Sequence, residues 1–497
     1  MKKKTSTHYK FLKNKAYTLS NIINLKSKFK NKLFTNSVWG VVSNIIQNIL
    51  FSVFFVIIAR IYSKEDFGHY VIANTLYSFM LGFSTLGLGH WFIREIINNE
   101  NKTTLTNKFF KVQLIIGIIF YFINLIVSYT LYDNPMISTL SVIIGINIIF
   151  DNVINVIKSL NIAYQEQKKT FLLLTVEAFL KFAVGCILLI YKMDIIILSL
   201  ILIGLRLITL NLFIKMGSSN SIGIKEIIRV KIDWAEIKKI VLANWSFIII
   251  SSLSIVNWRI GNILVSKILT IQDVANYEIA FKFFSLAYLI PIIVTSSLYP
   301  MLINAFKESP KKLKSLYSKA YLPLCIYGFL SFTFVYAFAD FLVPFVFGKS
   351  YNDTALYCKQ MFYVMLIFPT IFLQANVILT LKLEKFDMIC NIASVLVNVG
   401  ICIIGFQFYK SLTVVNIAIF TSFFVFHIIQ DVTLIKHKIT NLKNVLLFYF
   451  FTTISIGFYI ISDSYFNSGM NFIIFWTIIL IIGFSQFKKI KIAYSKA

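Results

Sequence analysis

The sequence predicts an all-α polytopic membrane protein of about fourteen spanning helices, arranged as two pseudo-symmetric six-helix lobes with two further helices at the C-terminus. Three observations predict it. Of 497 residues, 58% are hydrophobic and 14% charged, with a mean hydropathy of +0.78, whereas a soluble domain carries about 25% charged residues. Apolar runs of about 20 residues, the length that crosses a bilayer, follow one another along the chain. A stretch near the start also returns near the middle.

The apolar runs give spans 1–14 at roughly 38–60, 69–92, 112–131, 138–160, 171–191, 193–214, 240–266, 276–303, 318–346, 355–381, 386–408, 411–435, 445–462 and 469–486. Before span 1, residues 1–36 hold ten Lys and no acid and lack the apolar core of a cleavable signal peptide. Ile22, Leu25, Phe29 and Leu33 recur at helical spacing there, which suits either an interfacial helix beside anionic lipid or a disordered basic tail.

The formal net charge is +27, a value that in a soluble protein points to nucleic acid. Here the placement of the charge points to the membrane, and no nucleic-acid partner is expected. With both ends in the cytoplasm, 37 of the 48 Lys and Arg fall on cytoplasmic segments and six on outer ones, Arg60, Lys64, Lys192, Lys267, Lys349 and Lys410. This is the positive-inside bias. One helix more or fewer would invert every later loop, so the distribution supports fourteen spans with both ends cytoplasmic.

The longest connection, 215–239, carries Lys215, Lys225, Arg229, Lys231, Lys238 and Lys239 and reads as a linker. The expected organisation is a basic segment 1–36, an N-lobe 37–214 (spans 1–6), the linker 215–239 and a C-lobe 240–435 (spans 7–12). Spans 13 and 14 over 445–486 and a basic tail 487–497 follow. An internal repeat supports the division. Shifting ARIYSKEDFGHYVIA, which starts at Ala59, by 207 positions puts Arg60 on Lys267, Ser63 on Thr270, Asp66 on Asp273 and Phe67 on Val274. Tyr70 then falls on Tyr277, Ile72 on Ile279 and Ala73 on Ala280. One step out of register, Trp39 falls on Trp245. Each copy follows the first helix of a lobe, which implies a pseudo-two-fold axis along the membrane normal.

The chain contains no GxxxxGK[ST] loop, HExxH or nucleophile elbow, so neither an enzyme nor an ATP-driven pump is expected. Cys186, Cys325, Cys358, Cys390 and Cys402 lie in apolar runs without CxxC spacing and imply no disulfide, metal or cofactor. The informative residues are polar groups inside spans, which cost free energy unless they face a bundle interior or cavity. Span 1 carries Gly40, Asn44, Gln47 and Asn48 on one expected face. Span 7 carries Ser251, Ser252, Ser254, Asn257, Arg259 and Asn262, and span 4 carries Asn147, Asp151, Asn155 and Lys158. These stripes suit an aqueous path or interhelical hydrogen bonds.

Glu177 and Lys181, like Glu278 and Lys282, stand four apart and are expected to pair within their helices. Arg206 and Arg259 have no acid at that spacing. Arg259 and Lys282 suit an anionic substrate, the guanidinium gripping phosphate bidentately and the ammonium acting as a point charge. Arg60 ends span 1, where it can snorkel. Asp151 is the foremost acid for a coupling cation, with Glu278 and Glu177 as further candidates and Asp340 and Asp431 behind them. Asp431 and His427 read as a satisfied surface pair, and Lys359 begins span 10.

From Trp39 to Ile96 the chain resembles the polysaccharide-export (Wzx-type, O-antigen) flippases of the multidrug/oligosaccharidyl-lipid/polysaccharide exporter superfamily. The resemblance rests on the A-R-x-Y-S-x-E-x-F-G-x-Y turn, Ala59 to Tyr70, and on the later LGL followed by Arg94. The second copy has Ala275 where family members often have Gly. The resemblance implies a MATE-like V of two lobes and ion-gradient-driven alternating access. It implies export of an undecaprenyl-pyrophosphate-linked oligosaccharide across the bacterial cytoplasmic (inner) membrane for O-antigen, capsule or another surface polysaccharide. Implied partners are membrane lipid, a polysaccharide polymerase and a chain-length regulator. Spans 1, 2, 7 and 8 usually line the cavity, so Arg259, Lys282, Arg60, Asn44, Gln47, Asn48 and Asn262 become the substrate-binding candidates.

A multidrug or cation exporter of the same superfamily is the nearest alternative. Such exporters often use an acid in span 1 or 7, and residues 38–59 and 240–266 contain no Asp or Glu. A lipid II flippase is a second alternative. A membrane glycan polymerase differs in class, and the outer loops here lack the length its catalysis uses.

Overall fold

A computed structural model describes residues 39–495 apart from 41, 219–223, 233 and 244. The basic segment 1–36, with its interfacial rhythm, lies outside the described residues, as do the last two residues of the basic tail.

The N-terminal half runs α1 (Val42–Ile61), then α2 (Lys64–Ser84), α3 (Leu88–Asn98), α4 (Lys102–Leu131), α5 (Pro135–Gly145), α6 (Asn147–Ala163), α7 (Gln167–Ile190) and α8 (Ile195–Met216). The connection holds α9 (Ile224–Arg229) and α10 (Trp234–Ala243). The C-terminal half runs α11 (Trp245–Ile268), α12 (Ile271–Glu308), α13 (Pro310–Phe347), α14 (Thr354–Met361), α15 (Phe368–Thr380), α16 (Glu384–Phe408) and α17 (Leu412–Lys436). α18 (Leu442–Asp463) and α19 (Ser468–Ser495) close the chain. No strand occurs among the described residues. Among the described residues, eleven helical segments are long and apolar enough to cross a membrane by length and composition. The chain is a multi-pass membrane protein with two six-span lobes and two added helices.

Three expected spans are interrupted, each for a local reason. Span 2 breaks between α2 and α3, where Leu86 and Gly87 both take positive φ, 49° and 59°, a conformation that glycine adopts freely. Span 4 breaks at Ile146 between α5 and α6. Span 10 divides into α14, a 3₁₀ turn Phe362–Leu366 and α15. Pro369 stands at the start of α15 and has no N–H to continue the ladder. The expected linker 215–239 is partly helical. The tail from 487 continues α19 as far as Ser495.

The repeated turn is a pair of helix starts. Ser63 caps α2, its Oγ accepting from the Asp66 amide. Thr270 caps α12 in a full capping box with Asp273. Each cap satisfies backbone donors that have no partner inside the helix. The paired Ser/Thr and Asp therefore persist in both copies because each lobe must restart its second span after a sharp turn.

α12 and α13 hold 38 residues each, about 57 Å of helix at 1.5 Å per residue. That exceeds a hydrocarbon core of about 30 Å, so their joined ends, with the Lys312–Glu308 ion pair, project beyond it on the lysine-rich face. α18 and α19 pack on α13. The Tyr459 hydroxyl donates to the Thr333 carbonyl at 3.1 Å, and the Trp476 indole N–H donates to Thr333 Oγ1 at 2.9 Å.

Candidate functional site

Inside the N-lobe, three helices bring their charges to one point and a fourth adds a tyrosine hydroxyl. Arg206 of α8 forms ion pairs with Asp151 of α6 and Glu177 of α7. Lys181, one turn past Glu177, reaches it at 2.8 Å. Tyr77 of α2 donates its hydroxyl to Asp151. Asp151 and Glu177 are buried. The group borders a cavity of about 330 Å³ lined also by Gln47, Asn74 and Asn147. Two carboxylates face two cations, so the cluster is electrically balanced. Balance is what an apolar slab demands of buried charge.

Arg206 thus has two acids, supplied by other helices, contrary to its isolated reading in sequence. With a guanidinium already on both carboxylates, Asp151 and Glu177 are not open cation ligands in this conformation. The last two residues of the span 4 stripe diverge from them. Asn155 and Lys158 border a second cavity of about 390 Å³ with Gly87 and Gln113.

The front of the C-lobe is built differently. Arg259 of α11 lies 3.4 Å from Glu278 of α12, and the Asn262 amide donates to the other Glu278 oxygen at 2.7 Å. The expected Glu278–Lys282 pair does not form. Glu278 turns to α11, and the Lys282 ammonium sits 5.5 Å from the centre of the Phe55 ring of α1. Among the described residues Lys282 Nζ has no ion-pair or hydrogen-bond partner, and it is half-buried. Arg259, also read as lacking an acid, has this one at long range and lies 5.8 Å over Phe281. This front therefore holds two cations and one carboxylate, and only Arg259 pairs with it. Beneath them Trp258 packs on Phe281, Tyr288, Phe368 and Phe423 with centroids 5.2–6.0 Å apart.

This front is also where the lobes meet. The Asn262 amide reaches Thr75 Oγ1 of α2 at 3.3 Å. Under the 207-residue shift Asn262 corresponds to Phe55 and Thr75 to Lys282. The Asn262–Thr75 and Phe55–Lys282 contacts are therefore two-fold mates. The same holds at the short-loop face. Arg60 donates to the Phe345 carbonyl near the end of α13 at 2.5 Å, and its repeat mate Lys267 donates to the Leu131 carbonyl at the end of α4. Each cation neutralises the carbonyl-rich C-terminus of a helix in the opposite lobe. Lys267 also covers the Tyr132 ring at 5.0 Å, and Tyr132 Oη lies 2.5 Å from Ser266 Oγ. Nearby, a Cβ added at Gly68 would collide with the Ile271 carbonyl oxygen, so glycine permits this approach.

The structure brings together some of the predicted residues and separates others. Arg259, Asn262, Glu278 and Lys282 gather at the lobe contact. Arg60 lies at the short-loop clasp instead. The expected single face on α1 divides. Gln47 is buried against Ser43 and Thr175, its amide 2.7 Å from Ser43 Oγ, while Asn44 is exposed and the Asn48 side-chain amide donates to the Asn44 carbonyl of its own helix. Asp340 is exposed and paired with Lys359 at 2.6 Å. Asp431 and His427 are not a surface pair. Both are buried in the C-lobe, because α15 and α18 cover the face of α17 that carries them. Sequence reasoning missed Tyr77 and the cross-helix role of Arg206. The usable signal was an unmatched arginine in mid-span, which must find its acids on other helices. No cluster of three or more His, Cys, Asp or Glu suited to a metal occurs among the described residues.

Residues 57–356 match the polysaccharide biosynthesis protein family. Similar solved structures include the lipid II flippase MurJ in an inward closed conformation, at 14% identity and TM-score 0.65, covering 90% of this chain and 98% of that one. A multidrug resistance MATE family transporter of the MOP superfamily, inward-facing, aligns at 13% identity and TM-score 0.64 over 78% of this chain and 96% of that one. A MOP superfamily transporter from Pyrococcus furiosus, described as having a binding pocket of reversed polarity, aligns at 12% and 0.52, over 79% and 92%. At these identities the likeness is one of fold. No curated protein matches the chain significantly.

Proposed function

The chain belongs to this family of polysaccharide biosynthesis proteins, and from that premise we propose that it is a flippase. It moves an undecaprenyl-pyrophosphate-linked oligosaccharide from the cytoplasmic to the outer leaflet of a bacterial inner membrane, with both chain ends cytoplasmic. The observation that carries the reading is the cationic excess at the lobe contact, Arg259 and Lys282 against Glu278 alone. A half-buried ammonium resting on a ring, its only nearby carboxylate already engaged by Arg259, is costly at membrane depth. A diphosphate entering between α1, α2, α11 and α12 removes that cost. Arg259 offers a fork to two phosphate oxygens and Lys282 a point charge. The aromatic group under Trp258 provides faces for sugar rings, and the polyprenyl tail stays in lipid.

The Arg60 and Lys267 clasps close the short-loop face, and rocking of the lobes about the shared contact releases them. Gradient coupling belongs to the same reading. The carboxylates Asp151, Glu177 and Glu278 are its candidate seats once their present partners are displaced.

The test is surface glycan in a flippase-deleted host expressing the chain, with a drug-sensitivity panel on the same strain. Restored polymer with unchanged drug sensitivity supports the reading. Drug resistance without polymer replaces it with the exporter reading.

A further inference from the structure

A second buried polar group lies in the C-lobe, away from the lobe contact and unused by the mechanism above. His427 and Asp431 stand one turn apart on α17 and are 0% and 3% exposed. Their partners come from two other helices, α15 and α18, with α13 behind them. His427 Nε2 lies 2.9 Å from Thr370 Oγ1 of α15, and His427 Nδ1 lies 2.6 Å from the Tyr449 hydroxyl of α18. The Tyr449 hydroxyl is 2.8 Å from Asp431 Oδ2, and His427 Nδ1 is 3.0 Å from the same oxygen. Asp431 Oδ1 accepts from the Gln374 amide at 2.7 Å, and that amide lies 3.4 Å from the Tyr317 hydroxyl of α13.

Counting hydrogens shows what the group lacks. The Thr370 hydroxyl donates to the Ile367 carbonyl at 2.6 Å, so toward His427 its oxygen is an acceptor and the imidazole must carry its hydrogen on Nε2. A neutral His427 then turns a bare lone pair at Nδ1 toward Tyr449 and Asp431. Three atoms, Nδ1, Tyr449 Oη and Asp431 Oδ2, lie within 3.0 Å of one another. Only the Tyr449 hydroxyl hydrogen serves all three edges. One more proton on Nδ1 supplies the missing donor and makes an imidazolium–carboxylate pair of zero net charge. Without it, a bare carboxylate stays buried with no cation beside it. The other titratable groups facing Asp431 are Tyr317, Tyr321 and Cys325 of α13. Among the described residues no Lys or Arg forms an ion pair with Asp431. A cavity of about 210 Å³ is lined by Asp431 together with Tyr317, Ser318, Asn444 and Thr440, the last in the turn on the lysine-rich face.

We propose that His427, Asp431 and Tyr449 form a binding site for one exchangeable proton, loaded from the lysine-rich face, whose occupancy ties α18 to α15 and α17. The site is independent of the flippase reading and of the N-lobe carboxylates. A structural hydrogen-bond cluster needs no vacancy for a proton. A proton site does.

The test is pH-difference infrared spectroscopy on the full chain in lipid nanodiscs, with ring-labelled histidine. The expected result is a one-proton transition in an imidazole band coupled to a carboxylate band, with both absent in His427→Asn. Asp431→Asn abolishes the carboxylate band and uncouples the imidazole band from it. Tyr449→Phe removes the only other hydrogen in the triangle and displaces both bands. It deletes one oxygen, so it reports even where the polar-to-amide variants fail to fold. Wild-type and His427→Asn spectra that superimpose from about pH 5 to 9.5, or bands unchanged by both other substitutions, would overturn the proposal.

Discussion

The two lobes share a backbone plan and differ in their use of charge. In the N-lobe, Asp151, Glu177, Lys181 and Arg206 close on one another around an internal cavity. In the C-lobe, Arg259, Glu278 and Lys282 stand at the surface shared with the other lobe and leave one positive charge unanswered. The 207-residue shift makes the contrast exact by position. Where the C-lobe has Arg259, Glu278 and Lys282, the N-lobe has Ser52, Val71 and Thr75. Caps, turns and clasps are kept in duplicate because both lobes must fold and close alike. Charge at the contact is kept in one copy, as befits a single ligand lying across a pseudo-two-fold axis. A balanced cluster holds a lobe together, and an unbalanced one waits for a partner.

The sharpest way to break this contrast is at Arg206. Arg206→Met leaves two buried carboxylates with Lys181 alone, and loss of one partner from a buried ion pair costs about 3–5 kcal/mol. Thermal unfolding of the purified protein is expected to fall steeply, together with its yield in the membrane. Arg259→Ala and Lys282→Ala come next and act in the opposite sense. Each removes charge-assisted contacts worth roughly 1.5–3 kcal/mol to a bound phosphate, so export drops about 10- to 150-fold while the unfolding midpoint stays near wild type. If Arg259→Ala unfolded the protein as Arg206→Met does, the two clusters would be the same kind of thing.

Gly68→Val probes the closed face. Overpacking costs roughly 1–3 kcal/mol and pushes Ile271 away, so a cysteine placed at Ser266 becomes more reactive to a membrane-impermeant thiol reagent. The smallest effect belongs to the clasps. Arg60→Ala and Lys267→Ala each forfeit a cation at a helix C-terminus, about 0.3–1 kcal/mol. Two-fold equivalence requires similar gains in the same labelling assay. A marked difference between the two would mean that the clasp is not shared equally by the lobes.

How legible these features were depends on the range of the interaction behind them. Spans, the middle linker and the duplicated Ser63/Thr270 starts were readable because hydropathy and capping act within a few residues. The Glu177–Lys181 pair was readable for the same reason, lying one helical turn apart. Glu278 and Lys282 have identical spacing and do not pair, because α11 offers Glu278 a guanidinium and an amide that no local rule contains. Arg206 likewise finds acids 29 and 55 positions away. His427 and Asp431 read as surface residues near a helix end, since nothing in α17 itself announces that Gln374 and Tyr449 cover them. The breaks at Leu86–Gly87 and before Pro369 were marked by their residues, yet a hydropathy window averages across such points.

The central claim is that the unbalanced C-lobe front, and not the balanced N-lobe cluster, receives the phosphates. It is tested most directly by the affinity of the purified chain in nanodiscs for undecaprenyl pyrophosphate, compared among wild type, Arg259→Gln/Lys282→Gln and Lys181→Gln. The account predicts at least about a tenfold loss in the C-lobe double variant, equivalent to about 1.4 kcal/mol, and wild-type affinity in Lys181→Gln. Undiminished binding by the double variant, with affinity lost in Lys181→Gln instead, would contradict it.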